Sequence, residues 1–142
     1  MTKKSRRSGT SGSSGAGEQL PPALPPVVRD ILRWAKNQDY PATLVGAVAI
    51  CLHGPVRPTD DVDLLIMTAD SPAQVLASLE ADGYAARYAD PVPFAEATRV
   101  LLVRHTASGV DVDVMLGMLP FEQDCIDSSV VKRASFGRVR IA

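Results

Sequence analysis

Two short acidic pairs carry the chemistry on offer in this chain: Asp61 and Asp63 in DDVDLLIM, and Asp111 and Asp113 in GVDVDVML. In an extended strand, residues two apart point to the same face about 6.5 to 7 Å from one another, so each pair aims its carboxylates one way. Val62 and Leu64, and likewise Val110, Val112 and Val114, then make the opposite, core-directed faces. If the two strands are neighbours with both pairs on one face, mutual repulsion calls for a divalent cation. Carboxylate oxygens are hard ligands that suit Mg²⁺ or Mn²⁺ and not zinc, and two such ions about 3.5 to 4 Å apart can clamp an in-line phosphoryl displacement. The plainer alternative is that one or both pairs form the solvated face of an edge strand.

Other residues near the first pair suit a phosphate. Gly46 and Ala47 stand where a strand hands over to a helix, which leaves backbone N–H groups free for phosphate oxygens. Arg57 matches phosphate geometry and Thr59 offers a hydroxyl. His53, beside the helix-ending Gly54, is expected to be a structural hydrogen bonder, His105 an exposed residue next to a turn, and Trp34 part of helix packing.

The elements that must position these groups follow from pattern. Val28, Ile31, Leu32 and Ala35 recur at helical spacing after Pro26 and predict an amphipathic helix. ATLVG predicts a buried strand ending at Gly46, AVAICL a helix stopped by HGP, and DDVDLLIM a second strand. Ser71-Pro72-Ala73-Gln74 is a capping box opening a helix that ends near Gly83. A strand over Tyr84 to Tyr88 follows, then two strands, RVLLVRH and GVDVDVML, joined through TASG as a hairpin. LPFEQDCIDSS predicts a short helix and KRASFGRVRIA one final strand. This order predicts an α/β (α+β) fold, a mixed β-sheet flanked by helices.

Composition bounds the rest. The chain has 142 residues and is 46% hydrophobic, enough for one domain with a real core. Residues 1–22 are expected to be a disordered basic, Gly/Ser-rich tail and residues 23–142 the domain. Lys3, Lys4, Arg6 and Arg7 against Glu18 put the first eighteen residues at +3, which leaves the remainder at −4 within the formal total of −1. An acidic body lacks the basic face that non-specific duplex binding uses, so a nucleic-acid partner must be held locally. Cys51 and Cys125 show no metal-ligand or disulfide spacing. The twin arginines are followed by Gly/Ser and not by an apolar region, and no apolar run approaches the roughly 18 to 20 residues of a membrane span. A cytoplasmic protein with no membrane partner is expected.

Val45-Gly46-Ala47, then thirteen residues, then Asp61-Val62-Asp63-Leu64 resembles the signature of the nucleotidyltransferases of the DNA polymerase β superfamily, h-G-[GS] followed by D-h-[DE]-h. Gly46, Ala49, His53, Gly54, Arg57, Thr59, Asp61 and Asp63 also match the pattern G-x-x-A-x-x-x-H-G-x-x-R-x-T-x-D-x-D of the small AbiEii-like nucleotidyltransferases. VDVMLGMLPFE looks like that family's third-carboxylate strand, a resemblance that selects Asp113 over Asp111. The resemblance implies catalytic and metal-binding roles for Asp61, Asp63 and Asp113 with Mg²⁺ (or Mn²⁺), and nucleotide binding by Gly46, Ala47, Arg57 and Thr59. It implies a nucleoside triphosphate substrate, an RNA or protein acceptor, and a toxin-antitoxin or phage-defence setting with an antitoxin or other partner protein. The family's usual C-terminal helical region is expected to be missing after GRVRIA, with activity reduced accordingly. The alternatives are a non-catalytic, antitoxin-like or nucleotide-binding partner module with the same fold, and a metal-dependent nuclease.

Overall fold

The structure, a computed structural model, describes residues 22–46, 61–134 and 137–141, with the backbone alone over 130–140. Helix α1 (Leu24–Asn37) carries prolines in its first turn, where no N–H is required, and buries Leu24, Val27, Val28, Ile31, Trp34 and Ala35. Its start lies three residues before Val27 because the PPALPP lead-in is itself compatible with a helical first turn. Trp34 is fully buried and its Nε1 donates to Ser78 Oγ at 2.9 Å, so it packs as expected.

Strands β1 (Ala42–Val45) and β2 (Asp61–Met67) pair antiparallel. Helix α2 (Pro72–Ala81) is opened by a complete capping box: Gln74 N–H donates to Ser71 Oγ at 3.2 Å and Ser71 N–H to Gln74 Oε1 at 2.8 Å. Strand β3 (Tyr84–Ala86) is shorter than the Tyr84–Tyr88 expectation. A helix that the residue pattern did not suggest, α3 (Pro91–Thr98), follows it, with Asp90 and Arg99 in the left-handed region at either end. Two prolines and a single buried residue, Ala95, hide its periodicity. Strands β4 (Val100–His105) and β5 (Val110–Gly117) form the expected hairpin. Helix α4 (Pro120–Asp127) comes next, and the expected final strand is two antiparallel strands, β6 (Val130–Ala134) and β7 (Gly137–Ile141).

Among the described residues seven strands form one mixed sheet in the order β3-β4-β5-β2-β1-β7-β6. The parallel neighbours are β2 with β5 and β1 with β7. Val62, Leu64, Ile66, Leu101, Val103, Val112, Val114 and Leu116 make one continuous apolar face packed with α1 and α2 residues in the core cluster. Strands β2 and β5 are interior, each with a neighbour on both sides, so the acidic pairs do not lie on an edge strand.

His105 departs from expectation. Its side chain is only 13% exposed, edge-on to Tyr84, with Nε2 at 3.3 Å from Asp30 Oδ2 and Nδ1 at 2.8 Å from Ser108 Oγ. It fastens the β4–β5 turn to α1. Among the described residues no helix is long and apolar enough to cross a membrane.

Candidate active site

Alternation along β2 and β5 decides where the carboxylates go. Because Val62, Leu64, Val112 and Val114 are fully buried on one face, Asp61, Asp63, Asp111 and Asp113 must occupy the other. The parallel register then sets Asp61 against Asp111 and Asp63 against Asp113. Both pairs are therefore one cluster on the open face of the central strands.

Gly46 adjoins this cluster. Val45 pairs with Asp63 across β1–β2, and the chain then turns at Gly46 with φ +69°, a conformation that L side chains rarely adopt. A Cβ there would collide with the Asp63 carboxylate, so only glycine lets the backbone pass this close. Ala47, Arg57 and Thr59 lie outside the described residues, as do His53 and the helix expected over AVAICL.

One residue of the cluster is not evident from the sequence. Arg87, just beyond β3, has a side chain only 10% exposed, with Nη1 3.1 Å from Asp111 Oδ2 and Nη2 2.5 Å from Asp113 Oδ1. The backbone N–H of Arg87 donates to the Leu102 carbonyl at 3.1 Å, which carries the residue one step past β3 along β4. Arg104, opposite Asp111 on β4, adds a 2.9 Å contact from Nε to Asp111 Oδ1. The available signal was a lone arginine on the strand next to the β4–β5 hairpin, and it pointed nowhere without the β3–β4–β5 order.

The charges respond accordingly. Asp63 is pushed up to about 6, first by burial, then by the charges of Asp113 and Asp61, with Arg87 only partly offsetting them. Burial works slightly against the charge of Asp111, but hydrogen bonds from Arg104 and Arg87 hold its carboxyl below the usual range. Burial also opposes the Arg87 charge, and Asp113 and Asp111 outweigh it, so the guanidinium stays firmly protonated.

Whether a divalent cation suits this site can be judged from its donors. Asp61, Asp63 and Asp113 offer hard oxygens, and the elevated Asp63 marks negative charge that a cation would relieve. Among the described residues, however, no three His, Cys, Asp or Glu side chains are arranged as a ready ion cage. Asp113 is turned to Arg87, and its rotation away is what a third ligand would require.

The same face continues past Leu65 and Met115 into a cleft of about 450 Å³ under α4, reached by Val45, Val100 and Phe121. Its charged residues are engaged locally: Glu122 accepts from the Met118 and Leu119 N–H groups, and Arg99 Nε donates to the Leu116 carbonyl.

No protein-family model matches the chain, and no curated protein sequence matches it either. Among solved structures, the fold is similar to the crystal structure of an antigenic nucleotidyltransferase-like protein from Paracoccidioides brasiliensis, with a TM-score of 0.55 and 17% sequence identity. The match covers 86% of this chain and 62% of that one, so the chain spans less than two thirds of the length of this neighbour. The architecture is thus a nucleotidyltransferase-like mixed α/β fold.

Proposed function

We propose that the chain is a nucleotidyltransferase that depends on Mg²⁺ (or Mn²⁺) and moves a nucleoside monophosphate from a nucleoside triphosphate to a hydroxyl on RNA or protein. Its setting is the cytoplasm, in toxin-antitoxin or phage-defence biology. The observation that carries this reading is the register of β2 against β5, which seats Asp113 beside Asp63 with Gly46 on the far side of Asp63. The nucleotidyltransferase-like fold is in keeping with it.

Asp61, Asp63 and Asp113 would hold the divalent cation, which on binding would neutralise triphosphate charge and make the α-phosphorus easier to attack. Gly46 leaves the backbone open to the phosphates, with Ala47, Arg57 and Thr59 as the further phosphate contacts. Asp113, swung off Arg87, orients the acceptor hydroxyl. The hydroxyl oxygen bonds to the α-phosphorus, the bond to the oxygen bridging toward the β-phosphorus breaks, and pyrophosphate leaves with the electron pair. The hydroxyl proton leaves through the neighbouring carboxylates to water. The chain's contribution is positioning and charge.

The Arg87–Asp113 contact favours a second reading, a non-catalytic partner module in which a guanidinium permanently occupies the cation's place. Incubation with each labelled nucleoside triphosphate, Mg²⁺ and cellular RNA and protein fractions separates the two. Label transfer that Asp61→Asn and Asp63→Asn abolish supports the enzyme. No transfer, together with no thermal shift from Mg²⁺ or Mn²⁺ plus nucleotide, supports the module.

A further inference from the structure

A hollow of about 350 Å³ lies on the acidic face of the sheet, lined by Tyr88, Ala89, Pro91, Phe94 and Leu102. Leu102 pairs with Asp113 across β4–β5, so the floor of the hollow lies on the strand next to the one that carries that carboxylate. Arg87 joins the two: its guanidinium holds Asp113 and its Cζ lies 5.8 Å from the centre of the Tyr88 ring. Tyr88 is 67% exposed and Phe94 46%, so two large rings stand open to solvent around an apolar floor.

We infer that this hollow is the acceptor site and takes the terminal nucleoside of a single-stranded RNA, its base stacked on Tyr88 and Phe94. This rests on the nucleotidyl-transfer reading. In an in-line displacement the entering hydroxyl and the leaving pyrophosphate lie on opposite sides of the α-phosphorus. The strand order β4-β5-β2-β1 places the hollow, Asp113, Asp63 and Gly46 in sequence across the sheet. With the phosphates at Gly46, pyrophosphate departs toward β1 and the hydroxyl arrives from β4, over the hollow.

The chemistry of the lining selects the acceptor. Open aromatic faces beside a guanidinium are the means by which proteins hold unstacked bases. With residues 19–142 at a formal −4, net charge gives RNA no overall attraction, so stacking on Tyr88 and Phe94 carries the proposed hold. The terminal ribose hydroxyl then forms the new P–O bond as the α-phosphorus releases pyrophosphate, and its proton passes to water.

The test is fluorescence anisotropy of a 5′-fluorescein single-stranded RNA tetramer with the full chain, without nucleotide. The double variant Tyr88→Ala, Phe94→Ala should weaken binding about tenfold or more. Tyr88→Phe, Phe94→Tyr should retain it, and matched melting curves exclude misfolding. The inference is overturned if the wild type binds no RNA, if the alanine variant binds equally, or if it loses only a Ser- or Tyr-containing peptide. Steady-state label transfer then separates the two ideas. Transfer lost in Asp63→Asn but with an unchanged RNA KM in the alanine variant sinks the acceptor site and leaves the enzyme standing. RNA binding through the hollow with no transfer at all sinks the enzyme.

Discussion

At Asp63, burial and two neighbouring carboxylates act together against ionisation. Its folded pKa of about 6 stands above the ordinary value of 3.8, so between these pH values the folded chain keeps a proton that the unfolded chain has lost. Stability therefore falls as pH rises from about 4 to about 6, and the penalty is fully present above that window. Asp63→Asn removes the penalty. With divalent ions chelated, the variant should melt higher than wild type at pH 7.5, and the difference should vanish near pH 4. Because the group is half exposed, solvent screening holds the gain to roughly 1 kcal/mol, a few degrees in Tm. A gain that persists undiminished at pH 4 would mean that packing, not charge, is responsible.

At the scale of elements, β2 and β5 were legible because valine and aspartate alternate without interruption, and α2 because its capping box is written out in Ser71 to Gln74. Helix α3 was not, since Pro91 and Pro93 resemble loop signals and only Ala95 is buried. The role of Arg87 was invisible for a different reason: it depends on the register of three strands, which no local pattern encodes. The single strand expected over KRASFGRVRIA folds back instead, with Ala134 opposite Gly137. Arg87 also yields an element-level prediction. Replacing it by Met leaves Asp111 and Asp113 without their shared cation, which should cost about 1 to 3 kcal/mol in urea unfolding at pH 7. The loss should shrink only once the pH falls below 4 and Asp111, held below the usual carboxylate range, takes up its proton, and millimolar Mn²⁺ at pH 7 should recover part of it. A pH-independent loss would assign Arg87 to packing alone.

For the whole molecule, the sheet order matters more than any single contact. The four aspartates sit on the two strands at the centre of the sheet's β5–β2 junction, backed by the main core cluster. Positions 63 and 113 are fifty residues apart yet direct neighbours, so the acidic site comes into being only when two strands remote in sequence pair with each other. Fraying at the edges, in β3 or β6, leaves the β2–β5 junction that carries the four aspartates in place, though opening of β3 loosens Arg87. Amide hydrogen exchange should accordingly find the β2 and β5 amides protected up to the free energy of global unfolding, with β3 opening far sooner. Equal protection across the sheet would refute that hierarchy. The parallel β2–β5 pairing also has a bearing on quality control in the cell: a ligand bridging Asp63 and Asp113 ties together two central strands whose separation requires global unfolding, so its binding would be expected to protect the entire chain from proteases and not only the site it occupies.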